Sequence, residues 1–495
     1  MREREYLITR YRAILSYSGV VLMLGGGLIL TPLAGLAAFP GESRLLWAFA
    51  APGLSLGVLG ALLWRGLRPP APITVSVQEG GVIVLFSWVA VIAFSAWPFV
   101  VALGLSVPCA LFESVSGWTT TGLSVVDVTR AGNLILLWRS IMQLAGGAGL
   151  AIIMMSSIMG PAGAGLSVAE GRGDQLVPQV RRSARLVLLI YSAYAAVGVL
   201  LLKLAGMSLF DAVNHSFAAV STGGFSTYPE SIGHWDKVSV EAVILPLMVL
   251  GNLSFVTAWF MWRGRRKAVI RNGEVRLMAV LVPLSVAALF LFTCRKLYPL
   301  LTKSLRVALF EGVSALTTTG FSTVGYGNWN STGILVLVLL MLIGGGTCST
   351  AGGIKQFRIH ALWKFLAWEV RRWLSPCSEV RENAVWEGDS RVFVRDDRAR
   401  QVGVFVFLYM AVFATGTLVL CACGFNLSDA LFEFASALGT VGLSVGVTSA
   451  GMPAPALWAE TVAMLLGRLE FLVVVVSVLK ISRDLPSLLA GRSGR

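Results

Sequence analysis

The stretch that decides the fold is FESVSGWTTTGLS at residues 112–124, because the chain carries three further copies of it. These read NHSFAAVSTGGFS at 214–226, FEGVSALTTTGFS at 310–322 and FEFASALGTVGLS at 432–444, and all four align without gaps. The first and third copies agree at nine of 13 positions. Internal repeats determine an architecture before other features do, so four equivalent structural units are predicted.

Each copy carries a Thr-x-Gly tripeptide at the same place and lies between two apolar runs. Irregular backbone at membrane depth is tolerated only where it lines a cavity or is buried in protein. Four such strands around one axis would ring a pore with backbone carbonyls, which can replace the hydration shell of a monovalent cation. The predicted filter consists of Thr120, Thr121, Gly122, Thr222, Gly223, Gly224, Thr318, Thr319, Gly320, Thr440, Val441 and Gly442.

The composition is that of a protein with many membrane spans. Of 495 residues, 56% are hydrophobic and 13% are charged, and the mean hydropathy is +0.76. A water-soluble fold cannot bury that much apolar surface, so a soluble enzyme is excluded. Spans of about 20 residues are expected. Ten apolar runs lie near residues 17–39, 45–63, 80–103, 132–158, 186–206, 238–262, 277–294, 332–354, 402–424 and 455–479.

The charges orient these spans. Thirty of the 40 Lys and Arg residues fall in the loops that an inside N-terminus assigns to the cytoplasm, and seven fall in the opposite loops. This bias follows the positive-inside rule and places both termini in the cytoplasm. It also accounts for the net charge of +14 without nucleic acid, for which no motif is present. The six cysteines are scattered and the three histidines are few, so no metal site and no membrane enzyme is predicted.

Three acidic residues recur near the start of the repeat: Glu113, Glu311 and Glu433. We interpret them as complements to the positive ends of short helices that precede each Thr-x-Gly. Ion binding is the alternative. His215 takes the same place in the second copy and is interpreted as a structural variant.

This pattern resembles the Trk/Ktr/HKT superfamily of potassium transporters over nearly the whole chain, and within it the Trk membrane subunit. The resemblance implies four potassium-channel-like units and a filter made of the Thr-x-Gly backbone. It also associates glycine at all four filter positions, here Gly122, Gly224, Gly320 and Gly442, with potassium preference. Gly223 and Val441 depart from the threonine found in the other two copies, which makes the ring asymmetric.

The expected fold is therefore an all-α polytopic membrane protein. Four pseudo-fourfold-related units, each a span, a pore helix and a second span, surround a central pore, and two extra spans precede them. The expected divisions are residues 1–70 for the extra spans, and then 71–160, 161–265, 266–370 and 371–495 for the four pore units.

The run GGGTCSTAGGIK at 344–355 should interrupt the eighth span, because it holds five glycines among small polar residues. The alternatives are a close-packing site for small residues and a phosphate-binding loop, which lacks its usual Gly-Lys-Ser/Thr ending. The resemblance implies an intramembrane gating loop over 344–353 in the third unit. Its predicted residues are Gly344, Gly345, Gly346, Thr347, Ser349, Thr350, Gly352 and Gly353.

Arg468 lies in the last apolar run, where an ionisable residue is costly and needs a partner. Glu470 is too near in sequence to share its helix face. By resemblance, Arg468 would contact the 344–353 loop and help to hold a gate. Gln143 and Asn252 are expected to pack in the corresponding spans, and the resemblance implies a minor cavity-lining role for both. Lys355 is expected to face the cytoplasm.

The resemblance implies gated K+ uptake, with some Na+ possible, across the bacterial cytoplasmic membrane. It implies no covalent cofactor, a homodimer in the lipid bilayer, and control by a cytoplasmic nucleotide-binding ring of the TrkA type. The basic segment 355–401 would dock that ring, and ATP, ADP or NAD would act only through it. The alternatives are a potassium symporter coupled to H+ or Na+, and a docking platform whose pore does not conduct.

Overall fold

The computed structural model describes residues 2–69, 73–149, 180–374, 384–387, 390–393 and 396–489. These residues are mostly helical, as predicted. The exception is an antiparallel hairpin in the long loop, in which strand β1 (Ala384–Glu387) pairs with strand β2 (Ser390–Phe393).

The helices follow one another in a simple order. They are α1 (Arg2–Leu30), α2 (Leu46–Gly66), α3 (Val77–Ser95), α4 (Trp97–Leu103), α5 (Val107–Trp118), α6 (Asn133–Ala148), α7 (Val180–Leu204), α8 (Leu209–Val220), α9 (Val238–Asn252), α10 (Phe255–Trp262), α11 (Arg266–Arg271), α12 (Gly273–Leu289), α13 (Arg295–Leu297), α14 (Leu301–Leu316), α15 (Ser331–Ile343), α16 (Gln356–Leu374), α17 (Asp396–Ala422), α18 (Leu427–Leu438), α19 (Ala454–Leu469) and α20 (Phe471–Leu489). Short 3-10 turns (Thr31–Ala37, Pro40–Leu45 and Ser231–His234) and a π turn (Phe290–Cys294) join some of them.

The two N-terminal helices approach each other closely. A Cβ on Gly19 would lie 2.5 Å from the Gly60 carbonyl oxygen, and a Cβ on Gly60 would lie equally near the Gly19 oxygen. Gly26 and Gly53 repeat this contact two turns away. Small residues at helix crossings are how membrane helices pack without a hydrophobic driving force between them.

In the described part of the chain, six helical segments are long and apolar enough to span a membrane unbroken. The predicted runs at 238–262 and 455–479 differ from expectation, because each is broken rather than straight. Helices α9 and α10 meet at 114°, and α19 and α20 meet at 101°. The run at 332–354 yields only α15, and the last part of the run at 132–158 lies outside the described residues.

Four short helices, α5, α8, α14 and α18, occupy the four repeats. Each ends in the same way, because the first threonine of each Thr-x-Gly has a positive φ between 51° and 56°. The next N–H then donates to the carbonyl five residues back, at 2.8–3.0 Å in all four copies. This is the 6→1 closure of a Schellman motif. It turns the chain sharply away from the helix just where the predicted filter begins.

Candidate functional site: a ring of four Thr-x-Gly segments

The four Thr-x-Gly segments lie against one another in a closed ring. A Cβ on Gly122 would clash with the Gly223 carbonyl oxygen, and one on Gly224 would clash with that of Thr319. Likewise, a Cβ on Gly320 would clash with the Val441 carbonyl oxygen, and one on Gly442 would clash with that of Thr121. Each segment therefore contacts the next in chain order, and the fourth contacts the first.

The backbone N–H groups of these segments point away from the ring. Thr121 N donates to the Ser116 carbonyl at 2.9 Å, and Gly122 N donates to Ser116 Oγ at 3.1 Å. Gly442 N makes the same bond to Ser436 Oγ at 3.0 Å. These N–H groups are held by the short helices behind them, whereas a carbonyl oxygen of each segment lies against a glycine of a neighbouring segment.

The threonine hydroxyls divide into two sets. The middle threonines turn away, since the hydroxyls of Thr121 and Thr319 bond those of Thr119 and Thr317 at 2.7 and 2.8 Å. In the first positions, Thr120 Oγ1 and Thr440 Oγ1 are buried and have no hydrogen-bond partner among the described residues. Buried hydroxyls are normally satisfied, so these two are available to a ligand.

The three repeated glutamates do not complement helix N-termini, and that interpretation is wrong. Glu113 is the seventh residue of α5, and all three side chains are fully buried. They accept hydrogen bonds from the segment that follows each Thr-x-Gly: Glu113 from Val125 N at 3.0 Å, Glu311 from Thr323 N at 2.8 Å, and Glu433 from Thr448 N at 2.8 Å. They anchor the outgoing loop to the helix.

The first two units share a further anchor. Arg139, on α6, forms an ion pair with Glu113 at 2.8 Å and donates to the Ser226 carbonyl at 3.1 Å. His215 Nε2 lies 2.9 Å from Ser226 Oγ, so the histidine of the second copy holds the same loop that glutamate holds elsewhere. Its interpretation as a structural variant agrees with this contact.

Gln143 reaches the ring directly. Its Nε2 donates to the Gly223 carbonyl, and its Oε1 accepts from Phe225 N at 3.2 Å. A Cβ on Gly223 would clash with Gln143 Cδ, so the threonine present in the first and third copies would require the Gln143 side chain to move from its place here. The departure at Gly223 therefore has a steric reason.

The run at 344–355 is a loop that lies against the threonine side of the ring. Helix α15 ends at Ile343, and the next helix begins at Gln356. Gly352 N donates to Thr318 Oγ1 at 3.0 Å, and Thr350 Oγ1 lies 3.1 Å from Thr222 Oγ1. A Cβ on Gly352 would clash with Thr440 Oγ1. The loop thus contacts the first threonine of three of the four segments.

Bonds within the loop close it on itself. Gly345 N donates to the Gly352 carbonyl at 3.1 Å, and Ser349 Oγ donates to the Gly346 carbonyl at 2.6 Å. Gly344 and Gly353, both with positive φ, are packed so closely that a Cβ on Gly353 would lie 2.6 Å from the Gly344 Cα. This close approach explains why small residues fill the run.

Three side chains from other elements hold the loop. Arg468 donates to the Thr350 carbonyl at 2.6 Å and, on its other side, to the Gly146 carbonyl at 2.6 Å. Asn252 Oδ1 accepts from Gly346 N at 3.2 Å. Glu274 Oε1 accepts from Thr347 N at 2.7 Å. Asn252 therefore does more than pack, because it ties the broken α9–α10 pair to the loop.

The comparisons with known proteins agree with this architecture. The family model TrkH, described as a cation transport protein, matches residues 49–486. The chain belongs to the TrkH family. It is therefore a multi-span membrane transport protein and not an enzyme, as predicted.

Relatives of this TrkH-family chain match it from end to end. The Trk system potassium uptake protein TrkH of Halomonas elongata is 32% identical, and the match covers 94% of this chain and 98% of that one. An uncharacterized cation transporter of Methanocaldococcus jannaschii is 28% identical over 94% of each chain. The crystal structure of the potassium transporter TrkH from Vibrio parahaemolyticus superposes with a TM-score of 0.83 at 27% identity, covering 94% and 98% of the two chains.

A buried ion-pair cluster in this TrkH-family chain corrects the placement of Lys355. Its side chain is 11% exposed, so it is buried in protein rather than open to solvent, and its Nζ lies 3.0 Å from Glu470. Arg358 lies 2.8 Å from the other oxygen of Glu470. Glu470 itself has a positive φ of 58° at the break between α19 and α20. The cluster therefore ties the end of the 344–355 run to the bend in the last helix pair.

Sequence reasoning missed several residues of this site, namely Arg139, Glu274, Arg358 and the bonding roles of Gln143 and Asn252. The sequence does contain a signal for three of them. Arg139, Gln143 and Asn252 are polar or charged residues inside apolar runs, where each one needs a partner.

Proposed function

We propose that the chain carries out K+ uptake across a bacterial cytoplasmic membrane by conduction through the ring of Thr-x-Gly carbonyls. The observation that carries the proposal is the closed ring itself, in which carbonyl oxygens lie at each contact between segments and backbone N–H groups are held by the short helices behind it. Carbonyl rings of this kind substitute for the hydration shell of K+. Relatives named as potassium uptake proteins support the choice of ion.

The loop at 344–353 is proposed as the gate, together with Arg468. Its bonds to Thr222 and Thr318 lie on the path that an ion leaving the ring would take. The guanidinium of Arg468 adds a positive charge beside that path, which opposes a cation there. Opening requires the loop to move away from the ring, and the Arg468 bonds are what must break.

Inward flow needs no further energy source in this proposal. A monovalent cation gains about 2.3 kcal/mol per 100 mV of membrane potential, negative inside. The proposed orientation, with both termini cytoplasmic, puts the loop on the inner side of the ring. A cytoplasmic nucleotide-binding ring would then reach the gate through the basic segment 355–401, and the chain would work as a homodimer.

Reconstitution of the purified chain into vesicles tests the proposal. With a K+ gradient imposed and no Na+ present, the current is expected to reverse at the K+ equilibrium potential, whatever the proton gradient is. A reversal potential that moves with the H+ gradient, or K+ flux that requires Na+, would instead support the coupled symporter. Adding a co-purified nucleotide-binding partner, with and without ATP, ADP or NAD, measures the proposed control.

A further inference from the structure

Glu460 is a carboxyl group buried in the apolar helix α19, with no exposed surface. Its place in the fourth unit corresponds to that of Arg139 in the first. Gly467 of α19 packs on the Leu438 carbonyl at the end of α18. In the same way, Gly146 of α6 packs on the Trp118 carbonyl at the end of α5. Glu460 and Arg139 both precede these glycines by seven residues. An acid therefore stands where the first unit has a cation.

Glu460 faces a second buried acid across one hydroxyl group. Thr448 Oγ1 lies 2.6 Å from Glu433 Oε1 and 3.1 Å from Glu460 Oε2. A threonine hydroxyl has one proton to donate but can also accept a hydrogen bond. It can therefore bond both carboxyl groups only if one of them carries a proton and donates it to Thr448.

The hydrogen bonds decide which carboxyl carries the proton. Glu433 accepts from Thr448 N at 2.8 Å, from Val445 N at 3.1 Å and from Ser444 Oγ at 2.6 Å, in addition to the Thr448 hydroxyl. Several donors to one carboxylate favour its charged form. Glu460 has only the Thr448 hydroxyl, and its Oε1 has no hydrogen-bond partner among the described residues. The proton therefore belongs on Glu460.

No cation offsets the two acids in the described part of the chain. Helices α5, α17, α18 and α20 pack against α19, and of their titratable groups only Glu433, on α18, acts on Glu460. The others are Cys109 and Glu113 on α5, Arg400, Tyr409 and Cys421 on α17, Asp429 on α18, and Lys480, Arg483 and Asp484 on α20; the side chains of residues 396–398, at the start of α17, are outside the described part of the structure. Glu113 is already paired with Arg139, and Lys480 and Arg483 are paired with Asp484.

We infer that Glu460 is a proton-binding site, which holds one proton in a chain of hydrogen bonds from Glu460 through Thr448 to Glu433. The proton takes the place that Arg139 fills in the first unit. Its loss leaves two carboxylates on either side of one hydroxyl, and their repulsion loosens the loop that Glu433 holds behind the fourth filter strand. Raised pH on the side of this loop therefore lowers conduction through the ring.

Infrared spectroscopy of the purified protein tests the proton directly, because a protonated carboxyl has a C=O absorption that a carboxylate lacks. At neutral pH we expect this band in the wild type and its loss in Glu460→Gln, whose amide can still donate to Thr448. Thr448→Val should keep the band and shift it. Glu79→Gln is the control and should lose nothing, because Glu79 is paired with Arg10. An equal band in the wild type and Glu460→Gln overturns the inference.

The link to conduction rests on the proposed function and is measured separately. As the pH on the loop side rises, K+ flux through the wild type should fall more than the flux through Glu460→Gln, which has no proton to lose. Parallel falls in both proteins would overturn the link. Absence of K+ flux from the wild type at every pH would contradict the proposed function instead, and it would leave the infrared result standing.

Discussion

The ion pair between Arg139 and Glu113 is almost completely buried in the protein. Neither side chain exceeds 3% exposure, and the guanidinium also lies 3.9 Å from the centre of the Phe225 ring. Removing one partner of a buried pair leaves an uncompensated charge, which is the costly outcome. Arg139 thus joins the first unit to the second by charge, hydrogen bond and ring contact together.

Substitution of Arg139 should therefore destabilise the protein strongly. We expect Arg139→Ala to lower the free energy of unfolding by about 3–5 kcal/mol, because Glu113 is left buried and unpaired. Arg130→Ala is the matched control, since Arg130 pairs with Asp127 on the surface and is 86% exposed. Exposed pairs contribute about 0–1 kcal/mol. Denaturation in detergent micelles measures both changes, and equal losses would contradict the assignment.

The sequence predicted which acidic residues are equivalent, but it did not predict their hydrogen-bond partners. The repeat marks Glu113, Glu311 and Glu433 as equivalent, yet the short helices begin before the repeat does. That offset puts each glutamate in the middle of its helix rather than at the start. Its hydrogen-bond partners lie 11 to 15 residues further along, in loops whose path is determined only by the fold.

Among the elements, the two broken helix pairs hold the loop that lies against the ring. Loop 344–353 is held from one side by the α9–α10 break through Asn252, and from the other by the α19–α20 break through Arg468. Each break exposes backbone or polar groups within an apolar segment, which is tolerated where they meet other protein groups. The loop and the two breaks therefore form one connected structure.

Loss of Arg468 should free this loop. We expect Arg468→Ala to raise resting K+ flux several-fold, because the bonds to the Thr350 and Gly146 carbonyls disappear along with the opposing charge. Arg483→Ala is the control, since its side chain is 75% exposed near the chain's end. Flux from vesicles without any partner protein gives the comparison. Unchanged resting flux in Arg468→Ala would remove the loop from the gate role.

Sequence patterns predicted some of these elements better than others. The five glycines of 344–355 predicted a break in the helix, because glycine is unfavourable in a helix and accepts a positive φ. The break at Glu470 has no such signal. Its positive φ is stabilised by Lys355 and Arg358, which are more than 100 residues away in sequence. The Asn252 break likewise depends on a capping contact, from Thr257 N to Ser254 Oγ.

For the whole molecule, hydropathy and the repeat were sufficient to predict a helical membrane fold, and the resemblance carried by the repeat indicated the family. They were not sufficient for the path of each span, because a window average treats a run such as 455–479 as one straight helix. The ring order also required the structure. The sequences of the four copies do not predict that Gly442 contacts the Thr121 carbonyl, which is the contact that closes the ring between the fourth and first segments.

The most direct test of the central claim compares Gly442→Ala with Gly446→Ala in K+ and Na+ flux measurements. Both glycines have positive φ, 100° and 96°, so alanine strains the backbone alike. A Cβ on Gly442 clashes with the Thr121 carbonyl in the ring, whereas Gly446 has no atom within 4 Å. We predict that Gly442→Ala lowers the K+-to-Na+ flux ratio about tenfold, or about 1.4 kcal/mol, while Gly446→Ala keeps the wild-type ratio. Equal ratios in the two variants would contradict a filter built from this ring.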